Sequence, residues 1–330
     1  MPSRRPQRSR AGLFLIVAAL GYGAYLLVFP GGGPAYEDLA FRPLPYVNYG
    51  FKPDFTRSGP EVRTTNSDGF RGAEIARPKP AGVYRIVCLG GSTTYTSFTD
   101  DDQTYPVLLE QELEQRIPGR DFEVINAGVE SYTSAESLAN LAFRCLDFEP
   151  DAVLVYHGAN DVRPRRYPEF DAGYTPYRKV WDGGTDDYVK RSGELGGINT
   201  FIQHPPVPDG TDPMANLADH GPAVFRRNLA SLAGLARAHD VRPIFVTFAA
   251  SDDFELADRG VAPDASLRAG IREHNGVMRA LCTERGLDLV DFAPRMTLTR
   301  EMFRDQVHVT PAGSALKAQL IAEGLADLLR

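Results

Sequence analysis

"YRIVCLGGSTT", residues 84–94, is the stretch on which the fold turns. Its first seven residues are a short apolar run bounded by turn formers, the pattern of a strand buried on both faces of a parallel sheet. Two glycines, a serine and two threonines follow at once. Downstream the alternation repeats. Helical spacing over 105–117 puts Leu108, Leu109 and Leu113 on one face, and "FEVINAG" over 122–128 reads as the next strand. A helix over 134–146 precedes a strand over 151–158, a helix over 223–240 precedes a strand over 242–249, and a helix over 267–286 precedes a strand over 287–292. An amphipathic helix over 312–330 closes the chain. Strands alternating with helices predict an α/β fold, a three-layer α/β/α sandwich with right-handed crossovers around a five-stranded parallel sheet.

The chain's ends differ in character. Residues 11–29, "AGLFLIVAALGYGAYLLVF", form a charge-free run of 19 residues, long enough to cross a bilayer as a helix. Arg4, Arg5, Arg8 and Arg10 precede it, and the first charges after it are Glu37 and Asp38. That asymmetry predicts a cytoplasmic tail (1–10), a transmembrane anchor (11–29) and an extracytoplasmic remainder, periplasmic or at the cell surface. A cleaved signal peptide is the alternative, with Gly33 and Ala35 as small residues for cleavage, although the run exceeds a usual signal core. Residues 30–80 read as an irregular linker that Phe41, Tyr46, Tyr49 and Phe51 can pack onto the domain, and 81–330 as the domain itself.

With 43% hydrophobic and 24% charged residues, the 330-residue chain can build a sizeable core. Without the four tail arginines, 32 Lys+Arg stand against 43 Asp+Glu, a net charge of −11 that repels nucleic acid. Cys88, Cys145 and Cys282 form no disulfide framework and lack metal-ligand spacing; buried free thiols are expected, with one bridge as the alternative. Residues 162–221 break the helix–strand rhythm with Pro, Gly, Asp and Tyr, and contain the single tryptophan, Trp181. This insertion follows a strand's C-terminal end, where ligands bind in such sheets, and reads as a lid or substrate-binding segment; a surface insertion without function is the alternative.

Three chemistries compete for "GGSTT". A phosphate cradle of the Walker type needs a lysine that is absent, and a dinucleotide fingerprint needs a third glycine. A tight turn and a nucleophile's seat both remain. "FRDQVHVTPAG" (303–313) places Asp305 three residues before His308, a spacing that lets a carboxylate orient an imidazole base. "NAG" ends one strand at Gly128 and "GAND" follows another at Asn160. A glycine N–H and a neutral amide suit an oxygen that becomes negative in the transition state. His157 reads as a satisfied buried histidine rather than a substrate contact, and Asp161 as a brace for the Asn160 amide. Arg163, Arg165 and Arg166 make a basic cluster near the expected mouth, serving a substrate acid or simply a charged loop.

Taken in order, Ser92 in "LGGSTT", Gly128 in "NAGV", Asn160 in "GAND" and Asp305/His308 in "DQVH" resemble the SGNH (GDSL-type) hydrolase superfamily over about residues 84–330. The resemblance implies a flavodoxin-like sheet of order 2-1-3-4-5. It implies Ser92 as nucleophile, His308 as base and Asp305 as its orienter, with an oxyanion hole from Ser92, Gly128 and Asn160. Gly-Gly-Ser-Thr replaces the usual Gly-Asp-Ser-Leu, so the aspartate beside the nucleophile is missing. "TTNSDGFRG" (64–72) resembles a segment preceding the domain in membrane-anchored bacterial members; Asn66, Asp68 and Arg71 either brace the nucleophile loop or form a polar turn.

The expectation is an extracytoplasmic, membrane-anchored serine esterase that needs no metal or organic cofactor. It removes O-acyl groups, acetyl among them, from an envelope glycan or an acylated small molecule. Arg163 and Trp181 are candidates for substrate binding, and Tyr167, Tyr174 and Tyr177 suit sugar stacking. The alternatives are a lipid or small-ester acylhydrolase, an acyltransferase using the same pair, and an inactive glycan-binding or assembly domain.

Overall fold

The computed structural model of the chain describes residues 39–57, 59–178, 190, 197–202, 210–251 and 265–330. They fall into two units, residues 40–182 with 201–330, and residues 1–39 with 183–200. Of the second, only Leu39, Lys190 and a 3-10 turn, Gly197–Thr200, are described. The apolar run 11–29 and Trp181 lie outside the described residues; among those residues no helix is long and apolar enough to cross a membrane.

The segment expected to be irregular contains two small hairpins. β1 (Phe41–Leu44) pairs antiparallel with β2 (Asn48–Phe51), and β3 (Thr56–Arg57) with β4 (Arg63–Thr64). Strands of two to four residues, broken by Pro and Gly, are too short to show a two-residue period. Phe41, Tyr49 and Phe51 are buried, but Tyr46 is 80% exposed: it occupies the hairpin turn with φ 65 and stacks on Phe143.

The main sheet is wholly parallel. It is built from β5 (Val83–Gly90), β6 (Asp121–Asn126), β7 (Ala152–Tyr156), β8 (Arg242–Val246) and β9 (Asp288–Val290), in the order β6-β5-β7-β8-β9. The hairpin strands shift the numbering; counted within this sheet alone the order is 2-1-3-4-5. Around it run α1 (Ser92–Tyr95), α2 (Tyr105–Arg116), α3 (Ser134–Asn140), α4 (Ala159–Val162), α5 (Pro213–His220), α6 (Ala223–Ala238), α7 (Ala265–Arg285) and α8 (Pro311–Leu329). The helix expected to reach residue 146 is α-helical only as far as Asn140, then widens into a π-turn, Leu141–Cys145.

Alternation along β5 divides the core. Ile86 and Cys88 meet Leu109 and Leu113 of α2 and Ala318 and Ile321 of α8, whereas Val87 and Leu89 meet Leu229 and Leu232 of α6. Both faces are covered, so the strands are apolar at successive positions. Each fully buried Leu, Ile or Val contributes roughly 1.5–3 kcal/mol. All three cysteines are buried and free.

One buried charge ties the bottom of this sheet together. Arg85, fully buried in β5, donates from Nε to Glu123 at 2.7 Å and from its guanidinium to the carbonyls of Phe148 and Ala76. Its backbone N–H donates to Asp151 at 2.7 Å. Replacing it by methionine keeps the stem but strands two carbonyls and a carboxylate. Arg85→Met is therefore expected to lower unfolding stability by about 2–4 kcal/mol. Urea denaturation checks this, and a loss below about 0.5 kcal/mol would mean the network is worth no more than a surface pair.

Candidate active site

β5 delivers the chain to Gly90, and Gly91 caps α1, the four-residue helix that starts at Ser92. The turn must be glycine because neighbours crowd it: a Cβ on Gly91 would stand 2.6 Å from Asn160 Nδ2 and 3.1 Å from the Tyr132 carbonyl. So short a helix leaves carbonyls uncovered, and Arg71 takes them. Its Nη1 donates to Tyr95 O and Thr96 O at 2.7 Å, its Nη2 to Thr99 O at 2.6 Å, and its Nε to Asp101 at 2.7 Å. Arg71 thus braces the loop, whereas Asn66 folds its own turn, accepting from the Asp68 and Phe70 N–H groups, and Asp68 pairs with Arg77.

Below α1 lies a residue that the sequence reading passed over. Lys317 of α8 is 1% exposed; its Nζ donates to Thr93 O at 3.0 Å and sits over the rings of Tyr105 and Tyr156, 3.8 and 3.6 Å from their centroids. Burial holds the amine well below the ordinary lysine pKa. Its signal was available: Lys317 falls on the stripe Ser314–Ala318–Ile321–Leu325 that α8 buries, where a charge needs a partner.

Ser92, His308 and Asp305 form one hydrogen-bonded line. Ser92 Oγ is 2.8 Å from His308 Nε2, and His308 Nδ1 is 2.7 Å from Asp305 Oδ2. The other carboxylate oxygen accepts the backbone N–H groups of Val307 and His308, both at 2.8 Å. Burial raises the Asp305 pKa, but the histidine and the two backbone donors outweigh it and hold the carboxyl below its usual range. A bridge between Phe303 and Val309 closes the loop, and Thr310 caps α8 directly after it. The loop's geometry is therefore fixed from both ends.

Ser92, Gly158, Asn160, Arg163, Phe248 and His308 wall a narrow cleft with about 20 Å³ of free volume. It opens at the C-terminal ends of the sheet strands, where such folds bind ligands. The Asn160 amide donates to Tyr132 O at 3.0 Å with one N–H, leaving the other. Gly128 is not brought to the cleft. Its N–H donates to Asn126 Oδ1 at 3.1 Å, and it packs behind α1, where a Cβ would lie 2.3 Å from Tyr95 N. Position at a strand end says where a residue lies, not where its N–H points.

Asp161 does not hold the Asn160 amide. It accepts from the Ser134 N–H at 3.1 Å, the Ser134 hydroxyl and the Tyr174 hydroxyl at 3.0 Å, all contributed by other elements. His157 is buried as expected, with Nε2 2.7 Å from Ser137 Oγ; burial pushes its pKa down to about 3. This second Ser–His–Asp neighbourhood is buried, although His157 reaches the floor of the cleft. The basic cluster is split, because Arg165 is buried and turns to His274, Glu273 and the Leu217 carbonyl. Among the described residues no group of three or more His, Cys, Asp or Glu side chains is placed to hold a metal ion.

Among curated proteins none matches this chain in sequence. Solved structures similar to part of this chain include the lipase/acylhydrolase from Enterococcus faecalis, 18% identical, with a TM-score of 0.47 over 74% of this chain and 96% of that one. Another is a catalytic mutant of an acetylxylan esterase from Geobacillus stearothermophilus, 14% identical, with a TM-score of 0.48 over 73% of this chain and 94% of that one. Likeness at this level carries no argument about what this chain acts on. The sequence match is more direct: the model of the GDSL-like lipase/acylhydrolase family spans residues 88–316, from within β5 to within α8. With more than two thirds of its length so matched, the chain belongs to the GDSL-like lipase/acylhydrolase family.

Proposed function

We propose that the protein hydrolyses carboxylic esters through an acyl-enzyme on Ser92. The observation that carries this reading is the unbroken line from the Ser92 hydroxyl through His308 to the ionised Asp305. His308 Nε2 takes the hydroxyl proton as Oγ attacks the ester carbonyl, and Asp305 fixes the Nδ1–H tautomer and stabilises the imidazolium. His308 then returns the proton to the leaving alcohol. Water, activated by the same imidazole, releases the acid.

The carbonyl oxygen turns negative beside the Ser92 N–H and the free N–H of Asn160. The role expected of Gly128 passes to Ser131, whose backbone is left-handed (φ 64) and whose N–H has no acceptor among the described residues. Ser131 directly precedes the Tyr132 carbonyl that Asn160 holds.

The substrate class we favour is a short O-acyl ester, acetyl first. The cleft beside Ser92 encloses only about 20 Å³ of free space, which favours a small acyl group there. For the alcohol we favour an envelope glycan, and for the location the outer side of a membrane, with the chain anchored through residues 11–29. What supports this is the apolar run with arginines on one flank only.

Ser92→Ala is expected to lower kcat for 4-nitrophenyl acetate by roughly 10⁴-fold or more. A fluorophosphonate should label Ser92 alone, and His308→Ala should abolish the adduct in intact-mass spectra. Unchanged turnover in Ser92→Ala sinks the mechanism. Asn160→Ala should cost about 10²–10³ in kcat, the usual loss of one oxyanion donor. A change in KM alone would move Asn160 from transition-state stabilisation to ground-state binding.

A further inference from the structure

We infer that Arg163 makes the site selective for esters bearing a second, anionic oxygen group, carboxylate or phosphate, close to the scissile bond. The inference rests on the esterase reading and adds the charge of its substrate.

Arg163 stands in the wall of the cleft that holds Ser92, Asn160 and His308. Its side chain makes no hydrogen bond or ion pair with any described residue, and its Nε is buried without a partner. Arg63, Arg165 and Arg178, whose Nε atoms are also buried, are each tied down by ion pairs or carbonyls, Arg178 through Nε itself to Glu136 at 2.6 Å. Arg163 is half-buried, and a buried donor such as its Nε that has no partner is costly unless one arrives with a ligand.

Geometry says where that partner would sit. α4 continues into Arg163 with helical backbone (φ −54, ψ −51), so Asn160 and Arg163, three residues apart, share one face. They are offset by about 4.5 Å along the helix axis. An anion on the guanidinium therefore lies within a few bonds of a carbonyl held by Asn160. Asp161, two residues before Arg163 in the same helix, is turned away onto Ser134 and Tyr174. None of the other described residues that wall the cleft is an aspartate or glutamate, so no carboxylate stands there as a counter-charge. The substrate has to bring it, and a guanidinium fork fits the two oxygens of a carboxylate or phosphate.

The test compares hydrolysis of 3-acetoxybenzoate, 3-acetoxyphenyl phosphate and neutral 3-methylphenyl acetate by the full chain, at neutral pH and low salt. The readout is kcat/KM for each anionic ester relative to the neutral one. That ratio should fall about 10- to 100-fold in Arg163→Met, the range for a hydrogen bond to a charged group. It should be partly kept in Arg163→Lys and should shrink as salt is added. Whichever anion shows the larger ratio identifies the oxyacid. A ratio identical in wild type and Arg163→Met overturns the inference and leaves Arg163 a water-covered cation.

Calorimetric binding of both anionic esters to Ser92→Ala, with and without Arg163→Met, separates the two readings. Binding that weakens at least tenfold without Arg163, in a wild type that hydrolyses none of the esters, overturns the esterase reading and leaves anion recognition standing. Binding indifferent to Arg163 overturns the inference even in an active esterase.

Discussion

The helix that carries Ser92 is four residues long, so its C-terminal carbonyls cannot be met from within it. Tyr95, Thr96 and Thr99 are all buried, and each carbonyl left unpaired there would cost about 1–3 kcal/mol. Arg71 answers all three with one guanidinium, stacks over the Tyr95 ring at 4.7 Å, and is neutralised by Asp101. The rest of the site follows from this. Because Arg71 also bridges Asn126 at the end of β6, the chain before the sheet becomes part of the seat on which the serine sits. The hairpins upstream are held by the same logic: Tyr49 donates to Glu130 O, Tyr132 donates to Tyr49 O, and Phe51 stacks on Tyr95.

Two basic side chains thus grip one short turn, Arg71 at its end and Lys317 beneath its start. They do so by different chemistry. The guanidinium has five donors and a carboxylate partner, so it stays charged while it bridges carbonyls. Lys317 has one carbonyl and two aromatic faces, a setting in which desolvation works against the ammonium. Between them the backbone of α1 has no freedom to relax. That rigidity is what keeps Oγ within hydrogen-bond reach of an imidazole delivered from 216 residues away in the chain.

What the sequence made legible was whatever depends on period and position. β5 and its neighbours are apolar throughout, the helices are spaced by turns, and Ser92, Asn160, Asp305 and His308 stand beside strand ends or ahead of the last helix. What it hid depends on direction. Gly128 sits at the expected strand end, yet its N–H turns to Asn126, because the chain leaves β6 before reaching it. Asp161 adjoins Asn160 in the chain, but successive helical side chains do not face each other, so its partners come from α3 and the insertion. The hairpins escaped notice because strands of two to four residues have no period to read.

The two Ser–His–Asp groups show why residue type alone could not have chosen between them. Around Ser92 the imidazole touches the hydroxyl on one side and an ionised carboxylate on the other, at the wall of an open cleft. Around Ser134 the parts are the same but wired differently. The serine donates to the aspartate, the histidine reaches Ser137 instead, and His157 Nδ1 lies 3.7 Å from Asp161. Burial there pushes His157 down to about 3, so it is a poor base, and Asp161, fully buried, is occupied by the Ser134 N–H and the hydroxyls of Ser134 and Tyr174. A base becomes useful when its charged form is stabilised as it appears. In this chain only Asp305, kept ionised by its histidine and by two backbone N–H groups, is placed to do that among the described residues.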